Sequence, residues 1–257
     1  MSRPDESGFE WATGLGDGVC AFTTTRHGGV SRTPYESFNL GDHVGDSPDA
    51  VRTNRAALGA FVPQEPVWLA QVHGTAVHEA DRSALAAPCG PVTADAAITS
   101  QPGQVLAILT ADCMPVVLFS PDQRILGVAH AGWRGLADGI LIRTVGAMRQ
   151  RSDALRDLRA WIGPTIGPAA FQVGPEVRQR FLADDPGLDA CFVQDKSAPG
   201  KWLADLCGIA RKQLLAQGVG TVHVCGACTV NDPGKRFFSY RRDGQTGRMA
   251  TLAWMVS

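Results

Sequence analysis

The segment CMPVVLFSPDQRILGVAH, residues 113–130, decides the fold. Two continuous apolar runs, 116–119 and 125–129, flank a sequence rich in turn-forming residues. Continuous apolar runs of this length are typical of strands that are buried on both faces. The segment therefore predicts a buried β-hairpin in which Phe119 pairs with Ile125.

That pairing places Met114 opposite His130, with Cys113 beside it. Directly opposed residues have Cβ atoms only about 4.5–5.5 Å apart, so a thiol and an imidazole meet at the open end of the hairpin. Pro115 weakens the ladder there and leaves the register open by about one residue. A thiolate beside an imidazole suits zinc, it suits a Cys–His nucleophile pair equally well, and it is also compatible with two plain core residues.

A third metal ligand is available in His73, which follows a predicted strand and precedes Gly74. With Cys113 and His130 it completes a set of two histidines and one cysteine, leaving the fourth position open as in catalytic zinc sites. Spacing alone gives no reason for His73 to lie near the hairpin. Asp112, beside the cysteine, is a candidate general base, a candidate partner orienting a ligand histidine, or the cap of a turn.

Outward from the hairpin, the pattern alternates between strands and amphipathic helices without a strict βαβ repeat. We therefore expect mixed sheets instead of a simple doubly wound parallel sheet. Helices are predicted at 48–58, from Gly135 onward and from Leu203 to Gly218; further strands are predicted at 19–25, 67–72, 105–110 and 219–224, and a closing hairpin at 237–241 and 249–256.

Composition narrows the class of protein. The chain has 257 residues, 44% of them apolar and 19% charged, which fits one large α/β domain, with two closely packed halves as the alternative. We take 1–257 as that single domain and expect residues 1–17 to be a peripheral segment. A net charge of −1 gives no reason to expect nucleic acid or a membrane as partner. The polar N-terminus does not resemble a signal peptide, so we expect a cytoplasmic protein whose seven cysteines are thiols or ligands. The stretch 84–91 is interpreted as a loop.

Several glycine-rich or arginine-bearing segments are candidates for binding an anion. The segments 26–31, 130–135 and 239–244 combine small residues with arginine, the side chain best suited to phosphate or carboxylate; the competing interpretation is plain surface arginines. The C-x-x-C at Cys225 and Cys228 lacks a second ligand pair and an obvious following helix, which argues against structural zinc and thioredoxin-type redox chemistry. The remaining histidines are treated as non-ligands: His27, His43, His78 and His223.

Taken together, seven segments resemble the bacterial laccase-domain proteins, also called polyphenol oxidase-like proteins or peptidoglycan editing factors. The likeness runs in order from about residue 22 to the C-terminus. The segments are TTRHGGVS (24–31), FNLG (38–41), QVHG (71–74), TADCMP (110–115), AHAGWRG (129–135), GPTIGP (163–168) and RFFSYRRD (236–243).

This resemblance implies an α/β fold of mixed β-sheets sandwiched between helices, in α-β-β-α layers. It implies zinc on His73, Cys113 and His130, with copper as the alternative metal. It also implies purine nucleoside chemistry: phosphorolysis of adenosine, inosine, guanosine and methylthioadenosine, and deamination of adenosine.

The expected partners are therefore purine nucleosides and phosphate, bound by a monomer or a small homo-oligomer. Three competing functions remain at this point: a hydrolase editing peptidoglycan precursors with Cys113 as nucleophile, a copper-dependent polyphenol oxidase, and a non-enzymatic scaffold. The candidate site residues are Cys113, Asp112 and His130 for catalysis, and Arg26, Asn39, Arg134, Arg241 and Arg242 for substrate binding.

Overall fold

A computed structural model describes residues 8–81, 90–152 and 154–256. Most of the loop predicted at 84–91 lies outside these residues. The strands are β1 (Phe9–Trp11), β2 (Val19–Thr24), β3 (Leu69–Ala70), β4 (Val77–Glu79), β5 (Val92–Thr93), β6 (Ala96–Thr99), β7 (Leu106–Thr110), β8 (Met114–Ser120), β9 (Ile125–Ala131), β10 (Arg159–Ile162), β11 (Gln172–Val173), β12 (Phe192–Gln194), β13 (Trp202–Ala204), β14 (Thr221–Val224) and β15 (Met249–Met255).

The helices alternate irregularly with these strands, as the mixed sequence pattern predicts. A short 3₁₀ helix spans Pro186–Cys191. The α-helices are α1 (Pro48–Leu58), α2 (Trp133–Ala137), α3 (Ile140–Arg151), α4 (Pro175–Asp184), α5 (Leu206–Ala216) and α6 (Tyr240–Asp243).

Two large sheets form the centre of the described chain. A four-stranded sheet has the order β1-β2-β15-β7, and each of its pairs is antiparallel. A six-stranded sheet has the order β14-β10-β8-β9-β6-β4, with parallel pairs at both edges and antiparallel pairs between them. Smaller sheets pair β3 with β5 and join β11, β13 and β12.

The two large sheets pack face to face through an apolar core. Phe119, Val128 and Trp161 from the six-stranded sheet meet Leu106 and Ala253 from the four-stranded sheet in one cluster. Because side chains alternate along a strand, each sheet has a second face to bury.

Helices cover those second faces. Val145 of α3, Phe181 of α4 and Leu214 of α5 pack against the outer face of the six-stranded sheet. On the other side, Leu58 of α1 packs with Phe22, whose ring stacks on Phe9 at a centroid distance of 4.6 Å. The layers therefore run α-β-β-α, which confirms the predicted fold class.

The predicted hairpin forms, but its register differs by one residue. Phe119 pairs with Leu126, not with Ile125, since Ser120 stays in the ladder and takes Ile125 as its own partner. The Ser120 hydroxyl donates to the Asp122 carboxylate, and the turn is one residue shorter than expected, at 121–124 instead of 120–124. The predicted pairing was therefore wrong by one position.

This shift decides which side chains share a face. Pro115, not Met114, lies opposite His130, and Met114 belongs to the core beneath the helices. A slip of one residue exchanges the two faces of a strand, so Cys113 takes the same side as His130. The expectation that the hairpin brings this thiol and imidazole together is confirmed.

The helix predicted from Gly135 is divided into α2 and α3. Gly139 has a φ of 87°, a left-handed conformation that ends α2 and suits a residue without a Cβ. The apolar face predicted for this region is fully buried at Leu136, Ile140, Leu141, Val145 and Met148. The next predicted helix begins later than expected, at Leu206, because Leu203 belongs to β13.

The closing hairpin predicted at 237–241 and 249–256 does not form, and that prediction was wrong. Phe237 and Phe238 are fully buried in a small cluster with Met249, which holds this segment in an irregular conformation. The Ser239 side chain then accepts a hydrogen bond from the Arg242 amide at 3.2 Å and caps α6. The strand at 249–255 pairs with β2 and β7.

Within the segment predicted to be peripheral, β1 is the edge strand of its sheet and Leu15 is buried. Among the residues that the structure describes, no helix has the length and apolarity needed to cross a membrane.

Candidate metal centre

Three segments bring the predicted ligands together. His73 lies in the loop after β3, Cys113 lies at the corner between β7 and β8, and His130 lies near the end of β9. The Cys113 Sγ atom is 3.7 Å from His73 Nε2, and one ligand atom of each residue lies within 4.8 Å of the others. The two imidazole ring centroids are 4.8 Å apart with the rings nearly perpendicular.

The distance between Cys113 and His73 matches the geometry of a tetrahedral ion. With bonds of about 2.1 Å to nitrogen and 2.3 Å to sulfur, a tetrahedral zinc holds its ligand atoms roughly 3.6 Å apart. The distance of 3.7 Å between Cys113 and His73 already meets that requirement. In the described part of the chain, this trio is the one group of side chains with metal-ligand geometry.

A buried carboxylate that the sequence did not reveal organises both histidines. Asp95, with 0% exposure, accepts a hydrogen bond from His130 Nδ1 at 2.8 Å, which leaves Nε2 for an ion. The same carboxylate accepts from the backbone amides of Val72, His73 and Gly74 at 3.1, 2.9 and 2.7 Å. One carboxylate therefore fixes a ligand ring and the loop that carries the other ligand.

The signal for Asp95 in the sequence was a single acid immediately before the apolar strand β6. Burial raises its pKa, but the hydrogen bonds from His130 and from the loop amides outweigh burial and hold the pKa below its usual value. The group is therefore an anion throughout the physiological range.

The backbone around the ligands adopts conformations that most residues avoid. His73 has a φ of 59° and Asp112 a φ of 87°, both in the left-handed region. Strain of this kind costs on the order of 1–3 kcal/mol per residue and persists only where the surroundings enforce it. A Cβ on Gly132 would lie 2.7 Å from His73 Cδ2 and 3.1 Å from Cys113 Sγ, so only glycine fits against both ligands.

The cysteine and the buried histidine form a charged pair. Burial raises the pKa of the Cys113 thiol, but the charge of His130 and the hydrogen bonds from both histidines outweigh it and lower the pKa to about 6. Burial lowers the pKa of His130, but the thiolate and Asp95 outweigh it and raise the pKa to about 9. A thiolate is the form that binds metal, and binding an ion would release the His130 proton.

Asp112 holds the corner of the chain beside the cysteine. Its Oδ1 accepts from the Thr229 hydroxyl and its Oδ2 from the Arg241 amide, each at 2.6 Å. Its backbone oxygen accepts from Thr165 Oγ1 at 2.8 Å and from the Ile166 amide at 2.9 Å. The carboxylate that orients His130 is thus Asp95 and not Asp112, whose contacts match the turn-capping alternative. A role as general base stays a prediction.

A cavity of about 380 Å³ opens onto the ligands, within the size range of small-molecule sites. All three ligands line it, together with Asp112. Three aromatic side chains and two arginines also line the cavity: Trp133, Phe171, Tyr240, Arg241 and Arg248.

The arginines predicted to bind substrate occupy different places. Arg241 lines the cavity, and its Nη1 donates to the carbonyl oxygens of Ala170 and Gln172 at 3.1 Å each. Arg134 lies over the ring of Trp133, 4.6 Å from its centroid, and is not among the cavity-lining residues.

The other three residues predicted to bind substrate lie outside the cavity lining and contact other parts of the chain. Arg26 donates to the Glu36 carbonyl at 2.9 Å, and Arg242 donates to the carbonyls of Thr229 and Phe237, each at 2.9 Å. Asn39 is fully buried. None of these three belongs to the described lining of the cavity.

Residues that the sequence interpretation set aside also contribute to the site. His43, treated as a non-ligand, lines the cavity but lies outside the metal trio, and Arg248 was not singled out at all. Cys225 and Cys228 are free thiols outside the trio, with Cys228 Sγ accepting from the Gly167 amide at 3.2 Å. No pattern in the sequence distinguished Arg248 from other surface arginines.

Comparison with known proteins identifies the family of the chain. The family model described as multi-copper polyphenol oxidoreductase laccase matches residues 20–256. A protein of Haemophilus influenzae named purine nucleoside phosphorylase is 45% identical over 238 residues, covering 92% of this chain and 94% of that one. Purine nucleoside phosphorylase YfiH of Escherichia coli is 44% identical over 241 residues, covering 93% and 95%.

Solved structures show the same architecture. A Neisseria meningitidis protein superposes with a TM-score of 0.89 at 39% identity, covering 98% of this chain and all of its own. YlmD from Geobacillus stearothermophilus superposes with a TM-score of 0.83 at 33% identity, covering 99% and 98%. The chain therefore belongs to the laccase-domain family whose model is described as multi-copper polyphenol oxidoreductase laccase.

Proposed function

We propose that the chain is a zinc-dependent purine nucleoside phosphorylase that also cleaves methylthioadenosine and deaminates adenosine. The observation that carries the proposal is the trio His73, Cys113 and His130, with an open fourth position, lining one cavity that also presents arginine. Structural zinc sites have four protein ligands, whereas three protein ligands leave room for a reactant. The names of the relatives from Haemophilus influenzae and Escherichia coli give the reaction class.

The donor set favours zinc over a copper cluster. Two imidazoles and one thiolate suit a single zinc ion, whereas multicopper oxidation requires several histidine-rich sites close together. Within residues 8–81, 90–152 and 154–256, one ligand trio is present. A bound divalent cation would act as a Lewis acid, polarising an oxygen beside it so that water ionises near neutral pH.

The residues of the chain then have distinct tasks. Asp95 holds His130 and the His73 loop in place, so little reorganisation is needed when substrate binds. The aromatic rings of Trp133 and Phe171 give the cavity flat apolar walls against which a purine can lie.

In phosphorolysis, an oxygen of hydrogen phosphate forms a bond to C1′ of the ribose while the bond from C1′ to the purine nitrogen breaks. The proton of the phosphate passes to the purine, giving free base and ribose 1-phosphate. In deamination, water replaces the amino group of adenosine, giving inosine and ammonia. We assign both reactions to the cytoplasm, where a ligand thiol stays reduced.

The decisive experiment incubates the zinc-loaded protein with adenosine or inosine, with and without phosphate, and separates the products by chromatography. Free base and ribose 1-phosphate should appear only with phosphate, and inosine should form from adenosine without it. The variants Cys113→Ala and His73→Gln should lose turnover and zinc, whereas Cys20→Ala and His78→Gln should keep both. Intact nucleosides after incubation with the zinc-loaded wild type would refute the proposal.

A second candidate is a cysteine hydrolase acting on cell-wall precursors. It is favoured by one observation, the chain of contacts from Cys113 through His130 to Asp95, which matches the order of a nucleophile, a base and an orienting carboxylate. The thiolate cannot serve as metal ligand and nucleophile at once. Full hydrolysis of a muropeptide by metal-free protein, abolished when zinc is added, would select this candidate.

A further inference from the structure

Arg248 has a guanidinium group with unused donors inside the cavity. Its Nη1 donates to the carbonyl oxygens of Thr246 and Gly247 at 2.9 and 3.0 Å, which fixes one edge of the group. No acceptor among the described residues takes a hydrogen bond from its Nε or Nη2. Arg248 is half-buried and lines the cavity with the three metal ligands.

The segment Asn39 to Gly41 forms a cradle for this arginine. Asn39 Oδ1 accepts a hydrogen bond from the Arg248 amide at 2.8 Å, and the Leu40 amide donates to the Arg248 carbonyl at 3.1 Å. A Cβ on Gly41 would lie 2.7 Å from Arg248 Cγ, so the stem of the arginine passes where any other residue would have its side chain. The buried Asn39 thus acts on the position of Arg248.

The charges around the cavity favour an anion. Apart from the metal ligands, the acidic and basic lining residues are Arg241, Arg248 and Asp112, two cations and one anion. Both oxygens of Asp112 already accept hydrogen bonds, from Thr229 and from the Arg241 amide. Each arginine donates through its Nη1 to two carbonyl oxygens. Arg241 is exposed and lies over Phe171 at 5.5 Å, whereas Arg248 is half-buried, so Arg248 is the cation more shielded from solvent within the cavity.

We propose that Arg248 binds inorganic phosphate, and that Asn39, Leu40 and Gly41 position it to do so. A guanidinium presents parallel N–H groups that match two oxygens of a tetrahedral anion. The proposal rests on the proposed phosphorolysis, in which a phosphate oxygen bonds to C1′ as the bond to the purine nitrogen breaks and the phosphate proton passes to the purine. Deamination consumes water, and it does not require this subsite.

The first test compares Arg248→Met and Arg248→Lys with Arg143→Met, a change at an exposed arginine on α3. With inosine saturating, Arg248→Met should raise the KM for phosphate at least about 30-fold, the effect of losing charge-assisted hydrogen bonds, and Arg248→Lys should fall between it and the wild type. The zinc content and the melting temperature of both Arg248 variants should match those of Arg143→Met. An unchanged KM for phosphate in Arg248→Met would overturn the proposal.

The second test addresses the cradle. Gly41→Ala should displace the stem of Arg248 and raise the KM for phosphate while the KM for inosine stays unchanged. Gly220→Ala is the matched control, because its added Cβ would make only an ordinary contact of 3.8 Å. Equal KM values for phosphate in these two variants would refute the positioning role.

A direct binding measurement separates this proposal from the proposed function. Titration of inorganic phosphate into the zinc-loaded protein, followed by calorimetry, should show binding in the wild type and not in Arg248→Met. Binding without release of base from inosine would retain the subsite and refute the phosphorylase. Release of base by wild type and Arg248→Met with the same dependence on phosphate would retain the phosphorylase and refute the subsite.

Discussion

Replacing Asp95 by asparagine tests the idea that one carboxylate organises the metal centre. The Asp95 carboxylate accepts hydrogen bonds from His130 and His73 on Oδ1 and from Val72 and Gly74 on Oδ2. Asparagine has nearly the same shape but offers a single acceptor oxygen, and its NH₂ group would face two N–H donors.

The size of the effect follows from that count. Two donors lose their acceptor, and each unsatisfied buried donor costs about 1–3 kcal/mol, so the free energy of unfolding should fall by roughly 2–4 kcal/mol with partial relaxation. For a chain of this size, that loss lowers Tm by roughly 5–15 °C. Because the His73 loop and the His130 ring are both released, the affinity for zinc should fall about 10- to 100-fold.

The difference in stability between wild type and Asp95→Asn should also depend on pH. The pKa of Asp95 lies below its usual value in the folded protein, so its contribution to stability is present above about pH 4 and disappears as the pH falls through the folded-state pKa. The difference in stability between wild type and Asp95→Asn should therefore shrink as the solution is acidified below about pH 4.

The assay is thermal unfolding from pH 7 to pH 3, combined with competition for zinc against a chelator. The matched control is Asp189→Asn, which removes an exposed carboxylate paired with Arg178 at 2.6 Å and should cost at most about 1 kcal/mol without affecting zinc. If Asp95→Asn binds zinc as tightly as Asp189→Asn and unfolds at the same temperature, the carboxylate does not have the role assigned to it.

Three further predictions concern the ligands and the core. Gly132→Ala should weaken zinc binding at least tenfold, because its Cβ would collide with a ligand ring, whereas Gly146→Ala, with open space at its Cβ, should leave chelator competition unchanged. In metal-free protein at pH 7, iodoacetamide should label Cys113 before Cys207. The pKa of Cys113 is about 6, whereas burial raises the pKa of Cys207 to about 12. Peptide mapping that finds the reverse order of labelling would contradict this prediction. Phe22→Ala, at a fully buried ring, should cost about 3–5 kcal/mol in denaturant unfolding while zinc stoichiometry stays unchanged.

The central strands could be predicted from sequence because their signal is local. Apolar runs such as 116–119 and 125–129 have few alternatives to a buried strand, and helix 48–58 was predicted to the residue. The hairpin register was missed by one position because the Ser120 hydroxyl shortens the turn, an interaction with Asp122 that a propensity argument does not weigh. The segment 237–241 was misassigned because burial of Phe237 and Phe238 replaced strand pairing.

The metal ligands could be predicted from the sequence, but the residues that hold them in place could not. Cys113 and His130 follow from the hairpin, and His73 followed only from the family resemblance, because its loop is brought in through Asp95 rather than through neighbouring sequence. The roles of arginines were the hardest to predict, since the same side chain binds carbonyls at Arg242 and faces the cavity at Arg248. Only the tertiary structure distinguishes these two uses.

The position of β15 has a consequence for how the protein is assembled. This strand lies between β2 and β7, yet it is synthesised after both. The hydrogen bond between the side-chain hydroxyls of Thr23 and Thr251 joins residues that are 228 positions apart in the sequence. Contacts of such separation slow folding, so the four-stranded sheet has to wait for a late strand. All three metal ligands are synthesised long before β15, whereas Arg248 immediately precedes this strand. A growing chain therefore holds the complete ligand set before it acquires the cationic wall of the cavity.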